Sequence, residues 1–93
     1  MLLLGHESIE DVRTSALELQ RMGPAARRLL SECVEHQGCT RIAISQAAQA
    51  LENSGFVFIR ESGFLSVEKV HIRPSLAGEE ALAYFEDELA KLG

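Results

Sequence analysis

Cys33, His36 and Cys39 stand three residues apart, a spacing from which two thiolates and an imidazole reach one ion. Zinc takes four ligands, or three and a water, so His6 or His71 would have to complete the set through the fold. Cys33 also falls on the apolar stripe of a predicted helix. Both cysteines are therefore read as free, partly buried thiols, and no metal is expected. The carboxylate clusters Glu79-Glu80 and Glu86-Asp87-Glu88 lie on the wet side of another predicted helix, where such charge serves solubility. No Gly-rich phosphate loop is present, and no Ser, His and Asp follow the order of a nucleophile elbow. The 93 residues supply one modest core and little material for a concave pocket. The expectation is a binding module and not an enzyme, with no catalytic residues and no cofactor.

The charge is unevenly spread. The chain carries a net −5 overall, yet residues 21–75 hold seven Arg or Lys against five Glu, and the acid is concentrated in the two ends. A mildly basic middle permits a nucleic-acid face. Apolar residues make up 46% and charged residues 25%, as in ordinary globular domains. With one Tyr and four Phe, the core must be mostly aliphatic. No apolar run is long enough to span a membrane. The run Met1-Leu2-Leu3-Leu4 lacks a basic flank and is too short for a signal peptide, so a cytoplasmic location is expected.

These residues need elements to position them. Ile9, Val12, Ala16 and Leu19 recur at helical spacing, Ser8 can cap them, and Gly23-Pro24 stops them, giving a helix over 8–22. Pro24 suits the first turn of a second helix over 24–37, with Ala26, Leu29, Leu30, Cys33 and Val34 inward and Gly38 as a left-handed stop. Cys39-Thr40-Arg41 reads as a connector. A third helix over 42–54 turns Ile44, Ala47, Ala48 and Leu51 inward, and Ser45, Gln46, Gln49 and Asn53 outward. The β-rich runs Phe56–Arg60 and Phe64–Ile72 flank Glu61-Ser62-Gly63, which predicts a β-hairpin over 56–72. Its second strand alternates imperfectly, so a bulge near Glu68-Lys69 is expected, and Pro74 should lie beyond its end. A last helix over 76–92 carries Leu82, Phe85, Leu89 and Leu92 at spacings of three and four. Leu29, Leu30, Val34, Leu51, Val57, Leu82 and Phe85 should be core residues. The whole is one α+β domain.

Three segments resemble a winged-helix domain. Ala48-Gln49-Ala50-Leu51-Glu52-Asn53-Ser54-Gly55-Phe56-Val57 is similar to a recognition helix entering the first wing strand. Phe58-Ile59-Arg60-Glu61-Ser62-Gly63-Phe64 resembles a wing hairpin. Val70–Leu82 is similar to the strand-to-helix exit of bacterial winged-helix regulators. About fifteen residues separate Cys39 from Gly55, room for one good helix where the family usually has two. The helix-turn-helix is thus shortened.

The resemblance implies a small DNA-binding transcriptional regulator. Ser45, Gln46 and Gln49 match the groove-facing side of the third helix, and Gln pairs bidentately with adenine. Arg41 before that helix, Arg60 on the wing, and Lys69 and Arg73 behind it would hold phosphates. The helices flanking the wing imply a homodimer through the terminal helices, with Leu2, Leu3 and Leu4 adding apolar surface. The alternative is a winged-helix scaffold for protein–protein contact, with the acidic helices carrying the binding. Arg41, Arg60, Lys69 and Arg73 on one face would favour DNA.

Overall fold

The computed structural model describes residues 5–64 and 67–89. The elements run α1 (Ile9–Met22), α2 (Pro24–His36), β1 (Cys39–Arg41), α3 (Gln46–Asn53), β2 (Val57–Phe64), β3 (Val67–Pro74) and α4 (Leu76–Tyr84), the last passing into a π-helical turn over Phe85–Leu89. Four helices thus accompany a three-stranded antiparallel sheet of order β1-β3-β2. No helix among the described residues is long and apolar enough to cross a membrane.

The helix boundaries follow from their caps. Ser8 Oγ accepts from the Asp11 N–H, while Glu10 and Asp11 complement the positive end of α1. Gly23, at φ +95°, closes α1 and opens α2, with Pro24 taking the first helical position of α2. At the end of α2 the left-handed residue is Gln37 (φ 59°), one before the expected Gly38. The Gln37 amide donates to Val34 O at 2.8 Å. Gly38 N–H donates to Cys33 O at 2.8 Å, and its own φ of +137° completes the reversal.

Four expectations are corrected in the middle of the chain. Cys39-Thr40-Arg41 is a strand and not a connector, because the edge of β3 accepts it: Cys39 pairs with Ile72, Thr40 with His71 and Arg41 with Val70. The third helix starts at Gln46 and not at 42. Ser45 is extended, and its hydroxyl accepts from the Ala48 N–H, which fixes the first turn at Gln46. Glu61-Ser62-Gly63 is no turn. These residues lie within the ladder, opposite Val70, Lys69 and Glu68. Nor is there a bulge at Glu68-Lys69, since the register is unbroken from Val57↔Pro74 to Phe64↔Val67. The hairpin strands therefore reach Pro74, which closes the ladder where its missing N–H costs least. The expected continuation of the last helix to 92, with Leu92, falls outside the described residues, as do Met1–Leu4.

The core is aliphatic apart from Phe56, its largest fully buried side chain. Val12, Ala16 and Leu19 of α1, Leu30 and Cys33 of α2, Leu51 of α3, Val57, Val70 and Ile72 of the sheet, and Leu82 of α4 are buried. Of the expected core residues, Leu30, Leu51, Val57 and Leu82 are fully inside. Leu29, Val34 and Phe85 pack half-buried against them. Within the chain, α1 and α4 meet each other through their buried faces. His6 fastens the chain ahead of α1 to the same helix pair. Its Nδ1 lies 2.7 Å from Glu80 Oε1 and its Nε2 2.9 Å from Ser15 Oγ, and Gly5 N–H donates to Glu80 Oε1.

The start of α4 is locked onto the α3–β2 junction. Ser75 N–H donates to Phe56 O (2.9 Å), and Ser75 Oγ donates to Gly55 O (2.6 Å) while accepting from the Gly78 N–H (2.9 Å). A Cβ on Gly78 would collide with the Phe56 carbonyl oxygen. Gly→Ala inside a helix ordinarily stabilises by about 0.5–1 kcal/mol. Here Gly78→Ala is expected to lower the urea midpoint, and an unchanged or raised midpoint would show that α4 does not press on Phe56. Leu51→Ala should cost about 2–5 kcal/mol in the same measurement.

Burial, and then hydrogen bonding to Cys39, push the Cys33 thiol from 9.0 up to about 12. The unfolded chain loses this proton near pH 9 and the fold keeps it, so stability falls as pH climbs from about 9 toward 12. Denaturant titrations across that range should show a shallower fall for Cys33→Ala than for the parent chain.

Candidate nucleic-acid interface

Cross-strand partners in an antiparallel sheet project to the same face, and successive residues alternate. The row Cys39–Ile72–Ile59 faces the helices, as does the row Arg41–Val70–Glu61. The intervening rows face away. Thr40, His71 and Arg60 form one row across all three strands, and Arg73 with Phe58 forms the next. Lys69 continues the outer parity of β3.

The outer face thus gathers Arg60, Lys69 and Arg73, all exposed, around Phe58, which is 66% exposed. Both glutamates of the hairpin, Glu61 and Glu68, occupy register positions of the opposite parity. Among the described residues no carboxylate forms an ion pair with Arg60, Lys69 or Arg73. Two residues of strand rise about 7 Å, so the cations of β3 are spread over about 14 Å from Lys69 to Arg73. Thr40 Oγ1 lies 3.3 Å from His71 Nδ1 at the centre of the array. A groove of about 820 Å³ opens over this surface, lined among others by Gln37, Thr40, Phe58, Arg60, His71 and Arg73. Such a surface offers several cations for anionic oxygens and one aromatic edge for an apolar or stacking contact.

The other candidate residues are not part of it. Arg41 has the inward parity, and its Nη2 donates to Glu32 Oε2 at 2.7 Å while Nη1 donates to Thr40 O. Glu32 pushes the guanidinium pKa upward and neutralises its charge locally. Ser45 is committed to capping α3. The Gln49 amide donates to Glu52 Oε1 (3.3 Å) and Asn53 Oδ1 (3.0 Å), so its hydrogens are already engaged along its own helix. Gln46 is exposed at the first turn of α3.

The structure therefore brings Arg60, Lys69 and Arg73 together and leaves Arg41, Ser45, Gln46 and Gln49 elsewhere. Phe58 and His71 join the face, although neither was expected among the DNA contacts. The signal was their alternation with the cations, Phe58-x-Arg60 and Lys69-x-His71-x-Arg73. No group of three or more His, Cys, Asp or Glu among the described residues is placed to hold a metal ion.

The Arg41–Glu32 pair is near half exposed on both sides and so well screened. Glu32→Gln is expected to change stability by less than about 1 kcal/mol in urea denaturation. A loss well above that would mean that the pair holds β1 onto α2.

Comparison with known proteins gives no matching family model, no matching curated protein and no matching solved structure.

Proposed function

We propose that the chain is a winged-helix-like DNA-binding module with a shortened helix-turn-helix, acting in transcriptional regulation, and that it holds duplex DNA through the outer face of its sheet. The observation that carries this reading is the convergence of Arg60, Lys69 and Arg73 on one face of the sheet, with Glu61 and Glu68 at register positions of the opposite parity, in a chain with net charge −5. Most non-specific affinity for DNA comes from neutralising phosphates and releasing their counterions. An acidic protein binds a polyanion only where its cations are segregated, and this face segregates them. Phe58 adds a contact to sugar or to the base edge in a groove. The single long hairpin following α3 fits the wing of the resembling family, and the one helix between β1 and β2 fits its shortened form.

The division of labour differs from that of a recognition helix reading bases. The amide of Gln49 is tied to Glu52 and Asn53, and α3 carries no Lys or Arg. Binding on this reading is dominated by the backbone of the nucleic acid, with weak sequence preference.

Anisotropy titrations of the full chain against duplexes of random sequence, at several salt concentrations, test it. Binding should weaken with a log–log salt slope reflecting about three phosphates. Arg60→Ala should weaken binding to all duplexes alike and make the slope shallower by about one. Arg73→Glu should do more, and Gln49→Ala should leave affinity unchanged. No retention of any duplex at low salt, where attraction is strongest, overturns the proposal. A loss at Gln49→Ala confined to one preferred duplex would move the contact from the sheet to α3.

A further inference from the structure

The last turn of α2 and the start of β1 bring two sulfurs together. The left-handed Gln37 and the positive-φ Gly38 reverse the chain, and Cys39 returns beside Cys33. The Cys33 Sγ–H donates to Cys39 Sγ at 3.1 Å, and both side chains are free thiols. Cys33 is buried in the core, whereas Cys39 is partly exposed on the edge strand of the sheet. Pairing with Ile72 holds Cys39 from the other side. The two sulfurs are therefore pre-positioned by two backbone devices, a helix cap and a strand rung, and one of them is open to small molecules.

We propose that Cys33 and Cys39 form a reversible dithiol site that closes to an intramolecular disulfide by exchange with a low-molecular-weight disulfide. The reagent reaches Cys39 at the open edge of β1, the outermost strand of the sheet. The Cys39 thiolate attacks one sulfur of the small disulfide, a mixed disulfide forms, and one small thiolate leaves. Cys33 Sγ then attacks the Cys39 sulfur and expels the second small thiolate, which takes up the Cys33 proton. Two protein thiols are oxidised to one disulfide, and one small disulfide is reduced to two thiols. The second step is intramolecular because Cys33 already lies against its target, so no second reagent molecule is needed to resolve the mixed disulfide. The high thiol pKa that burial gives Cys33 is consistent with the order of events, since it keeps this sulfur protonated until the exposed partner has reacted. The product cross-links α2 to the edge strand β1. The site is independent of the DNA reading, since neither sulfur lies among the proposed contact residues.

The test incubates the full chain with oxidised glutathione and monitors intact mass and free thiol. Both thiols should disappear together and the mass should fall by two hydrogens, with no glutathione retained. Digestion should yield a linked peptide pair containing Cys33 and Cys39, and dithiothreitol should restore both thiols. In Cys33→Ala the same reagent should leave one stable glutathione adduct at Cys39. In Cys39→Ser, a near-isosteric change at a half-buried position, the buried Cys33 should stay unmodified. Retention of glutathione on the parent chain, disulfide-linked dimers, or two thiols that survive a large excess of reagent would each overturn the proposal.

Discussion

The carbonyl of Phe56 is the point on which the architecture turns. It accepts the Ser75 N–H, and it faces the one position of α4 that must lack a side chain, Gly78. Helix α4 therefore docks by backbone contact, closer than any side chain between them would allow. That closeness accompanies full burial of the Phe56 side chain, and the chain passes out of α3 into β2 at once. Ser75 makes the junction self-consistent, since its hydroxyl donates to Gly55 O while capping α4. A buried polar side chain is tolerated there because both its donor and its acceptor capacity are used. The same contact ties the start of β2 to the residue that follows β3, Ser75, so both ends of the hairpin are held at the start of α4.

The sheet divides the chemistry of the molecule by parity. Inward positions are given to Ile59, Val70 and Ile72, which bury apolar area against the helices, and to Arg41, which reaches Glu32 at the rim. Outward positions carry the cations and Phe58. A one-residue slip of β2 against β3 would exchange the two sets, placing arginine against the core. The burial of Val57, Val70 and Ile72 thus specifies the register, and the register in turn specifies which charges share a surface. Packing energy and electrostatic pattern are two readings of the same alternation.

Much of the fold was legible in the sequence. The stripes of α1 and α2, the Ser8 cap, the Gly23-Pro24 break and the existence of a hairpin all rest on local signals, and local signals survive in the folded chain. The misreadings share one cause. Strand β1 has only three residues and no alternation of its own; it exists because β3 offers an unpaired edge. Ile42 and Ile44 fit a helical spacing, but Ile42 is 88% exposed and Ser45 caps the helix behind it. Gly63 has the character of a turn residue, yet the ladder runs through it because pairing on both sides outweighs one flexible residue. Arg60, Lys69 and Arg73 were readable as cations, while their company with Phe58 and His71 required the register. The closeness of Cys33 to Cys39 required the cap at Gln37.

Gly23 belongs to two helices at once, ending α1 and beginning α2 without a spare residue between them. Each residue added to a helix rotates the remainder of that helix by roughly 100°. An insertion at this junction would turn the Ala26–Leu30–Cys33 stripe away from the core, and a deletion would do the same in the opposite sense. Length variation in this molecule is therefore forbidden at its first corner, whereas a hairpin can grow by whole rungs at its tip without disturbing any helix. Diversification of the chain has its latitude in the reach of the sheet and not in the spacing of the bundle.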